Sequence, residues 1–300
     1  GDATKNTLVL NTGAQTGNAY GAEVKTKAGS ATENTAEITG GTTVNLYGAS
    51  LTAADATGSA TKNKVNIKSG SVTGNVYGGH IADGAAIGDA KKNTITVTGG
   101  SVTGDIYGGF TNGSGATTDN TVNLGDGEHS LAAGTTINGT IYGGNKADDA
   151  DNTLNVNTNA TAGNIQNFGK LQFNLNSNAL TQGTPMLGLS ASGGTNNLDW
   201  RTLDVNAEKF NAPIKTYEAY NLVLMENVNN INFQQGATNT YTAGGGVKST
   251  TSGDFEFTID TANSSVSSTQ VTAAGYKFKN HDASYNEVAP HTEAWAGRTA

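Results

Sequence analysis

The sequence predicts an all-β fold, a parallel β-helix (solenoid) with turns of about 30 residues and a C-terminal cap. The phrase SVTGDIYGG at 101–109 nearly repeats SVTGNVYGG at 71–79 and returns as TINGTIYGG at 136–144. Short runs between these phrases alternate apolar and polar residues, which is the strand pattern. Gly is abundant, at 41 of 300 residues, and Pro is scarce, at 3. Repeats too small to bury an apolar face alone become stable by stacking, so a solenoid is expected.

Two residue types mark the period. Five tyrosines of the repeated phrase lie 27 to 35 residues apart: Tyr20, Tyr47, Tyr77, Tyr107 and Tyr142. Six asparagines open the units at intervals of 27 to 32 residues: Asn6, Asn34, Asn63, Asn93, Asn120 and Asn152. We expect each unit to form one turn, about 4.8 Å from the next. Stacked asparagines are then expected to hydrogen-bond along a ladder, a structural role.

Each unit contains the same elements in the same order. A short strand follows the asparagine, as in Thr94–Thr98, where Ile95 and Val97 share one face. A glycine-containing bend comes next, then the tyrosine phrase, whose Gly108 and Gly109 predict a second bend. A loop of variable length, such as residues 80–92, closes the unit and is expected to bulge from one edge.

The repeat fades after Asn178. Residues 1–178 are predicted to form regular turns, 179–278 less regular C-terminal turns and a cap, and 279–300 a linker. Strands are expected at 171–178, 185–191, 198–207, 220–227 and 254–261, and Phe168 is interpreted as the replacement for tyrosine in its unit. A cap is needed because the last turn of a solenoid exposes apolar surface and free strand edges.

Composition excludes several classes of protein and site. The chain has no Cys, which leaves no disulfides or thiolate metal sites. Its net charge of −8 argues against nucleic-acid binding. The sequence contains no run of 18 apolar residues, the length that would predict a transmembrane helix. The first residues already resemble a strand repeat rather than a signal peptide, so we expect a fragment of a longer chain.

The tyrosines are the main candidates for ligand binding. Strict alternation places Tyr107 outward, opposite to Ile106, and the same register predicts an aromatic ladder on the surface. Two interpretations stay open. The ladder is either a structural stack or a flat platform on which sugars or peptides dock.

Other candidates are weaker. Asp148, Asp149 and Asp151 have the oxygen ligands that Ca²⁺ prefers, or form a solvated acidic turn. Asp126, Glu128 and His129 are interpreted as a turn, and His80 is a minor catalytic candidate. Asp105 is expected to project outward without an acidic partner, since Asn75 and Thr140 occupy the equivalent positions. No signature of the common hydrolase, metalloprotease or nucleotide-binding sites is present, and no other cofactor is predicted.

The phrases NTITVTGGSVTGDIYGG and NKVNIKSGSVTGNVYGG resemble the repeats of bacterial autotransporter passenger domains. The resemblance covers residues 1–178 and extends more weakly to the end, where YEAYNLVLMENVNNINF is similar to the turns that precede the barrel in that family. It implies a right-handed β-helix exported through a C-terminal outer-membrane barrel, which would be a partner in the full-length chain. It also implies a location on the surface of a Gram-negative bacterium.

We expect a non-enzymatic adhesin that binds glycans or proteins of host or bacterial surfaces, with self-association as a further option. Two alternatives stay open. A carbohydrate-active β-helix enzyme would need at least two neighbouring carboxylates on one face. A structural stalk would present another domain and bind nothing through its tyrosines.

Overall fold

The computed structural model describes residues 1–146, 151–181, 183–190, 198–200, 202–211, 220–226, 231–233, 247–252, 255–260 and 271–277. Every regular element in these ranges is a β-strand, which confirms the predicted all-β class. Among the same residues, no helix is long and apolar enough to cross a membrane.

The first four turns contain strands β1 to β13. The strands are β1 (Ala3–Thr4), β2 (Thr7–Leu10), β3 (Gln15–Tyr20), β4 (Glu23–Val24), β5 (Ala31–Thr32), β6 (Thr35–Leu51), β7 (Ala60–Thr61), β8 (Lys64–Val72), β9 (Val76–Ile81), β10 (Ala90–Lys91), β11 (Thr94–Val97), β12 (Ser101–Val102) and β13 (Ile106–Thr111). The long β6 combines positions that other turns divide among separate strands.

The remaining strands are β14 to β28. They are β14 (Thr121–Leu124), β15 (Thr136–Ile137), β16 (Thr140–Gly144), β17 (Thr153–Val156), β18 (Ala160–Ala162), β19 (Asn164–Gln166), β20 (Lys170–Asn176), β21 (Leu187–Leu189), β22 (Leu198–Trp200), β23 (Thr202–Lys209), β24 (Tyr220–Glu226), β25 (Ile231–Phe233), β26 (Val247–Ser252), β27 (Phe255–Asp260) and β28 (Val271–Lys277).

Within the stacked turns, strands pair in parallel with their equivalents in neighbouring turns. In the column that follows the asparagines, Ile95 of β11 pairs with Val65 of β8 and Val122 of β14. In the tyrosine column, Tyr107 of β13 pairs with Tyr77 of β9 and Tyr142 of β16. Residues about 30 positions apart in the sequence thus pair in parallel, which confirms the predicted β-solenoid. Its right-handed winding stays a prediction.

The main core lies inside the stacked turns. Apolar residues of the alternating strands, such as Ile38, Ile67 and Ile95, are fully buried there. The core continues into the later turns through Phe168 and Phe173. Burying a side chain of this size contributes about 1.5–3 kcal/mol, which repays much of the entropy lost by ordering short strands.

A second core lies under the loops that follow the tyrosine column. Its members are Ala22, Val24, Ala31, Ala49, Leu51, Ala56, Ala60, Ile81, Ala86 and Ala90. Neighbouring loops also bond to one another, since Ile87 donates its N–H to Ala56 and Ser114 donates to Ala86. The sequence predicted that the loop at 80–92 bulges from one edge; in the structure this loop also stacks between its neighbours, because alanine and glycine let the backbones approach.

The parallel stack gives way to antiparallel strands near the C-terminus. β24 pairs in parallel with β21 on one side and antiparallel with β28 on the other. β27 then joins β28 to β26, and β26 contacts β23. This arrangement brings antiparallel strands to the last parallel turn, where the cap was predicted. The proposed boundaries after residues 178 and 278 stay predictions, and the linker at 279–300 lies outside the described residues.

Candidate functional site

The asparagines form a ladder, here called the asparagine ladder, comprising Asn6, Asn34, Asn63, Asn93, Asn120 and Asn152. All except Asn6 are buried. The Oδ1 atom of Asn93 accepts hydrogen bonds from the backbone N and the Nδ2 of Asn63, at 3.0 and 3.1 Å. The Asn93 Nδ2 donates in turn to Asn120 Oδ1 and to the carbonyl of Ala60, both at 3.1 Å. The predicted structural role is confirmed, because these bonds satisfy amides that burial would otherwise leave unpaired.

A left-handed corner precedes the asparagines of the ladder. The residues with positive φ there are Lys5, Glu33, Lys62, Lys92 and Asp119, with φ between 57° and 60°. This conformation is uncommon for residues other than glycine. The corner turns the chain so that the charged residue points to solvent while the following asparagine points inward. The sequence reasoning missed it, although the charged residue before each of these asparagines was a visible signal.

A glycine follows each tyrosine, and a second glycine follows it after Tyr77, Tyr107 and Tyr142; these glycines make room for the asparagine ladder. A Cβ placed on Gly78 would lie 2.4 Å from the Gly108 carbonyl oxygen and 2.9 Å from the Cβ of Asn93. One placed on Gly79 would lie 2.6 Å from the Asn93 Nδ2. The tyrosine strand therefore passes directly against the buried ladder. The glycines are required by close approach, in addition to the predicted bend.

The five tyrosines stack into one continuous column, here called the tyrosine strip: Tyr20, Tyr47, Tyr77, Tyr107 and Tyr142. Successive ring centroids are 4.7, 4.9, 5.3 and 4.7 Å apart. The angles between neighbouring ring planes are only 13°, 8°, 9° and 3°. Because the rings stack on each other, no further ring fits between them. The strip therefore offers ring edges and hydroxyls to a partner, rather than free faces along its length.

Two further rings lie against the middle of the strip. His80 contacts Tyr47 and Tyr77 at centroid distances of 5.2 and 4.8 Å. Phe110 contacts Tyr77 and Tyr107 edge-on, at 5.5 and 5.1 Å. These contacts reduce the exposed fraction of Tyr47 and Tyr77 to 8% each. The strip is thus most open at Tyr20, Tyr107 and Tyr142, which are half-buried.

The strip ends at Tyr142 in the direction of the C-terminus. Tyr142 pairs with Gln166 of β19, and Phe168 instead lies in the main core with 1% of its surface exposed. The interpretation of Phe168 as the replacement for tyrosine is therefore wrong. Phe168 lies two residues beyond Gln166, the residue that pairs with Tyr142, and it meets the interior rather than the outer column.

Three of the five tyrosine hydroxyls have a polar partner two residues earlier in the chain. Tyr20 and Tyr77 accept hydrogen bonds from the Nδ2 atoms of Asn18 and Asn75, at 3.1 and 3.0 Å. Tyr107 instead donates its proton to Asp105 Oδ2, at 3.1 Å.

Asp105 projects outward with Tyr107, as predicted, and both of its carboxylate oxygens are engaged. Its Oδ1 accepts the backbone N–H of Thr140 at 2.8 Å. The backbone N–H of Asp105 donates to Asn75 Oδ1, also at 2.8 Å. Asp105 therefore continues a second ladder that runs beside the tyrosines.

Burial controls the protonation of this region. Burial, together with the neighbouring phenols Tyr77 and Tyr20, raises the pKa of Tyr47 to about 12. Burial also raises the pKa of Tyr77 and Tyr107, with the Asp105 carboxylate adding to the effect. Tyr47, Tyr77 and Tyr107 are consequently neutral phenols at physiological pH.

His80 is held neutral by the same burial, which lowers its pKa to about 4. Its Nδ1 lies 2.9 Å from the hydroxyl oxygen of Ser50, and Ser50 is only 1% exposed. A nucleophile at Ser50 would be closed to a substrate in this arrangement. Ser50 and His80 lie beside the tyrosine strip. The catalytic interpretation of His80 stays a prediction.

Asp126, Glu128 and His129 form a turn, as interpreted from the sequence. Asp126 Oδ1 accepts the backbone N–H groups of Glu128 and His129, at 2.8 and 2.9 Å. Burial alone would raise the pKa of Asp126, but these bonds and the His129 side chain lower it to about 2. The Glu128 carboxylate also pairs with Lys209.

The predicted Ca²⁺ ligands Asp148 and Asp149 lie outside the described residues, whereas Asp151 is exposed at the start of its turn. In the described part of the chain, no group of three His, Asp or Glu side chains is placed to hold a metal ion. The Ca²⁺ site stays a prediction.

No protein family, curated protein or solved structure matches the chain. The fold and the tyrosine strip are therefore the features of this chain that bear on its function.

Proposed function

We propose that the chain is the exported passenger of an autotransporter-like protein on the surface of a Gram-negative bacterium, and that it acts by adhesion rather than catalysis. The β-solenoid is compatible with this class, and the repeat phrases carry the resemblance. Its own outer-membrane barrel is a proposed partner in the full-length protein. The proposed external partners are glycans or proteins of host or bacterial surfaces, including further copies of this chain, and not nucleic acid.

The observation that carries the proposal is the tyrosine strip. It presents the same type of side chain at five successive turns, with the rings held by stacking on one another. Tyr20 accepts a hydrogen bond from Asn18, so its own phenolic proton is available to a partner. A partner lying along the solenoid would meet several weak contacts at once, and multivalency would strengthen their sum.

The test compares the 300-residue chain with a variant carrying Tyr20→Phe, Tyr107→Phe and Tyr142→Phe. These substitutions keep the stacked rings and remove the three most open hydroxyls. A matched control carries Thr94→Ser and Thr121→Ser, which change half-buried polar residues of the column after the asparagines. Binding of labelled protein to glycan arrays and to bacterial and host cells is measured for all three proteins.

We expect the tyrosine variant to bind several-fold less than the unmodified chain, and the threonine control to bind normally. Equal binding by all three proteins would show that the tyrosine strip is not the contact surface. If the unmodified chain binds none of the targets, the alternative of a structural stalk would be favoured. Cleavage of any glycan on the array would favour the carbohydrate-active enzyme instead.

A further inference from the structure

The five phenols of the tyrosine strip differ in what surrounds their hydroxyls. Tyr20 and Tyr77 receive hydrogen bonds from asparagine amides, which cannot take up a proton. Among the described residues, the hydroxyls of Tyr47 and Tyr142 have no hydrogen-bond partner. Only Tyr107 donates to a carboxylate, Asp105 Oδ2, at 3.1 Å. One position in the column therefore has a built-in proton acceptor.

Loss of an electron from a phenol is much easier when its proton can leave at the same time, because the phenol radical cation is a very strong acid. Stacked rings at centroid distances of 4.7 to 5.3 Å also allow electron exchange between neighbours. We propose that the tyrosine strip conducts one-electron oxidising equivalents to Tyr107, where Asp105 accepts the phenolic proton. This redox activity goes beyond adhesion and does not depend on it.

The reaction begins with a one-electron oxidant at the protein surface, such as a peroxide-derived radical. The oxidant gains one electron from a ring of the strip, and electrons shift along the stack until Tyr107 is the ring that lacks one. The O–H bond of Tyr107 breaks as its proton forms a new O–H bond on Asp105 Oδ2. The products are the reduced oxidant, a neutral Tyr107 radical and a neutral Asp105 carboxyl group. An external one-electron reductant of the ascorbate class then restores the phenol as Asp105 returns the proton.

The stack supplies the path from the N-terminal side. Tyr20 is half-buried and accessible, whereas Tyr47 and Tyr77 are each only 8% exposed and separate it from Tyr107. Replacing Tyr77 should therefore prevent oxidation that begins at Tyr20 or Tyr47 from reaching Tyr107. Phenylalanine suits this purpose, because it preserves the ring and is far harder to oxidise than a phenol.

The experiment oxidises the 300-residue chain with photogenerated ruthenium(III) tris-bipyridyl, using persulfate as the terminal acceptor. A nitroso spin trap captures tyrosyl radicals, and peptide mass spectrometry determines the trapped fraction at each strip position. The variants are Asp105→Asn, which removes the proton acceptor, and Tyr77→Phe, which breaks the path. Asn is a well-matched replacement, because Asn75 occupies the equivalent position in the neighbouring turn. Circular dichroism checks that both variants retain β structure.

In the unmodified chain we expect that, within the tyrosine strip, most of the spin-trap adduct forms on Tyr107. Asp105→Asn should reduce the Tyr107 fraction several-fold, and Tyr77→Phe should shift adduct to Tyr20 and Tyr47. Formation of the Tyr107 radical in the unmodified chain should slow in D₂O, a measurement that needs no variant. An adduct distribution that follows exposure alone and is unchanged by Asp105→Asn, or the absence of a solvent isotope effect, would overturn the proposal.

Discussion

At the scale of single residues, the buried asparagines are the polar groups on which the stack depends most. Each interior member of the asparagine ladder both accepts and donates hydrogen bonds between turns, and none of these groups has access to water. An isolated buried amide would destabilise the fold, but a complete ladder satisfies its interior members. The ladder also aligns the turns, because a shifted asparagine would leave two donors unpaired.

The first prediction follows from this arrangement. Asn93→Ala removes the acceptor of two bonds from Asn63 and the donors to Asn120 and Ala60, so the chain should lose about 3 kcal/mol or more of unfolding free energy. Urea denaturation measures the loss. Asn66→Ala is the control, since Asn66 lies outside the core and bonds only to Glu37. Similar midpoints for the two variants would contradict the role assigned to the ladder.

A second prediction at this scale concerns pH. The pKa of His80 falls from its ordinary value of 6.5 to about 4 on folding, so its neutral form stabilises the native state. This contribution is complete above about pH 6.5 and declines as pH falls towards 4, with a loss of about 2 kcal/mol at pH 5. In the part of the chain that the structure describes, no charged side chain bonds to the ring or stacks on it. The groups packed against it are Tyr47, Tyr77, Phe110 and Ser50.

The measurement compares urea denaturation at about pH 7.5 and about pH 5 for the unmodified chain and for His80→Phe. Phe110 already occupies the equivalent position in the next turn, which makes the replacement conservative. We expect the variant to lose less stability on acidification than the unmodified chain. The carboxylates titrate in both proteins, so an identical loss would show that His80 does not contribute.

At the scale of the strand, the tyrosine column is shaped by what lies beneath it. Its tyrosines face outward by simple alternation, and the position that follows each tyrosine approaches the asparagine ladder and the backbone of a neighbouring turn at distances that only glycine permits. Tight packing of this kind cannot relax by moving one side chain, since the obstructing atoms belong to the backbone of the next turn. The column and the ladder therefore form one structural unit.

Gly78→Ala is the corresponding prediction. The added methyl group would overlap the Gly108 carbonyl and the Cβ of Asn93, and the strand should be destabilised by about 1–3 kcal/mol or more. Gly84→Ala is a matched control in a loop where nothing lies within 4 Å of the new atom. Thermal denaturation should separate the two variants clearly. An equal midpoint would mean that the strand shifts to accept the methyl group at no cost.

At the scale of the whole molecule, the solenoid is a sum of turns that contact only their neighbours. Residues 64–93 form a complete repeat from one ladder asparagine to the next. A second copy inserted directly after Asn93 would keep every column in register. It would add one asparagine to the ladder and one ring to the tyrosine strip.

We expect this insertion to fold and to raise the denaturation midpoint, while small-angle scattering detects a particle about 4.8 Å longer. The control is the same insertion lacking Asn66 in the new copy, which reverses the alternation of that strand and exposes an apolar side chain. Loss of β structure in the in-register insertion would argue against independent, additive turns.

The sequence alone determined the length of the turn, the strand after each asparagine and the outward direction of the tyrosines. These are local properties, because alternation decides which side of a strand faces the core and the repeat aligns equivalent residues. Only the tertiary structure decided that the loops build a second core, that the glycines fit the asparagine ladder and that Phe168 leaves the outer column. It also decided that His80 and Phe110 cover part of the strip and that Asp105 bonds Tyr107. Such contacts join different turns or depend on how a side chain rotates, and their distances follow from packing that a one-dimensional pattern does not contain.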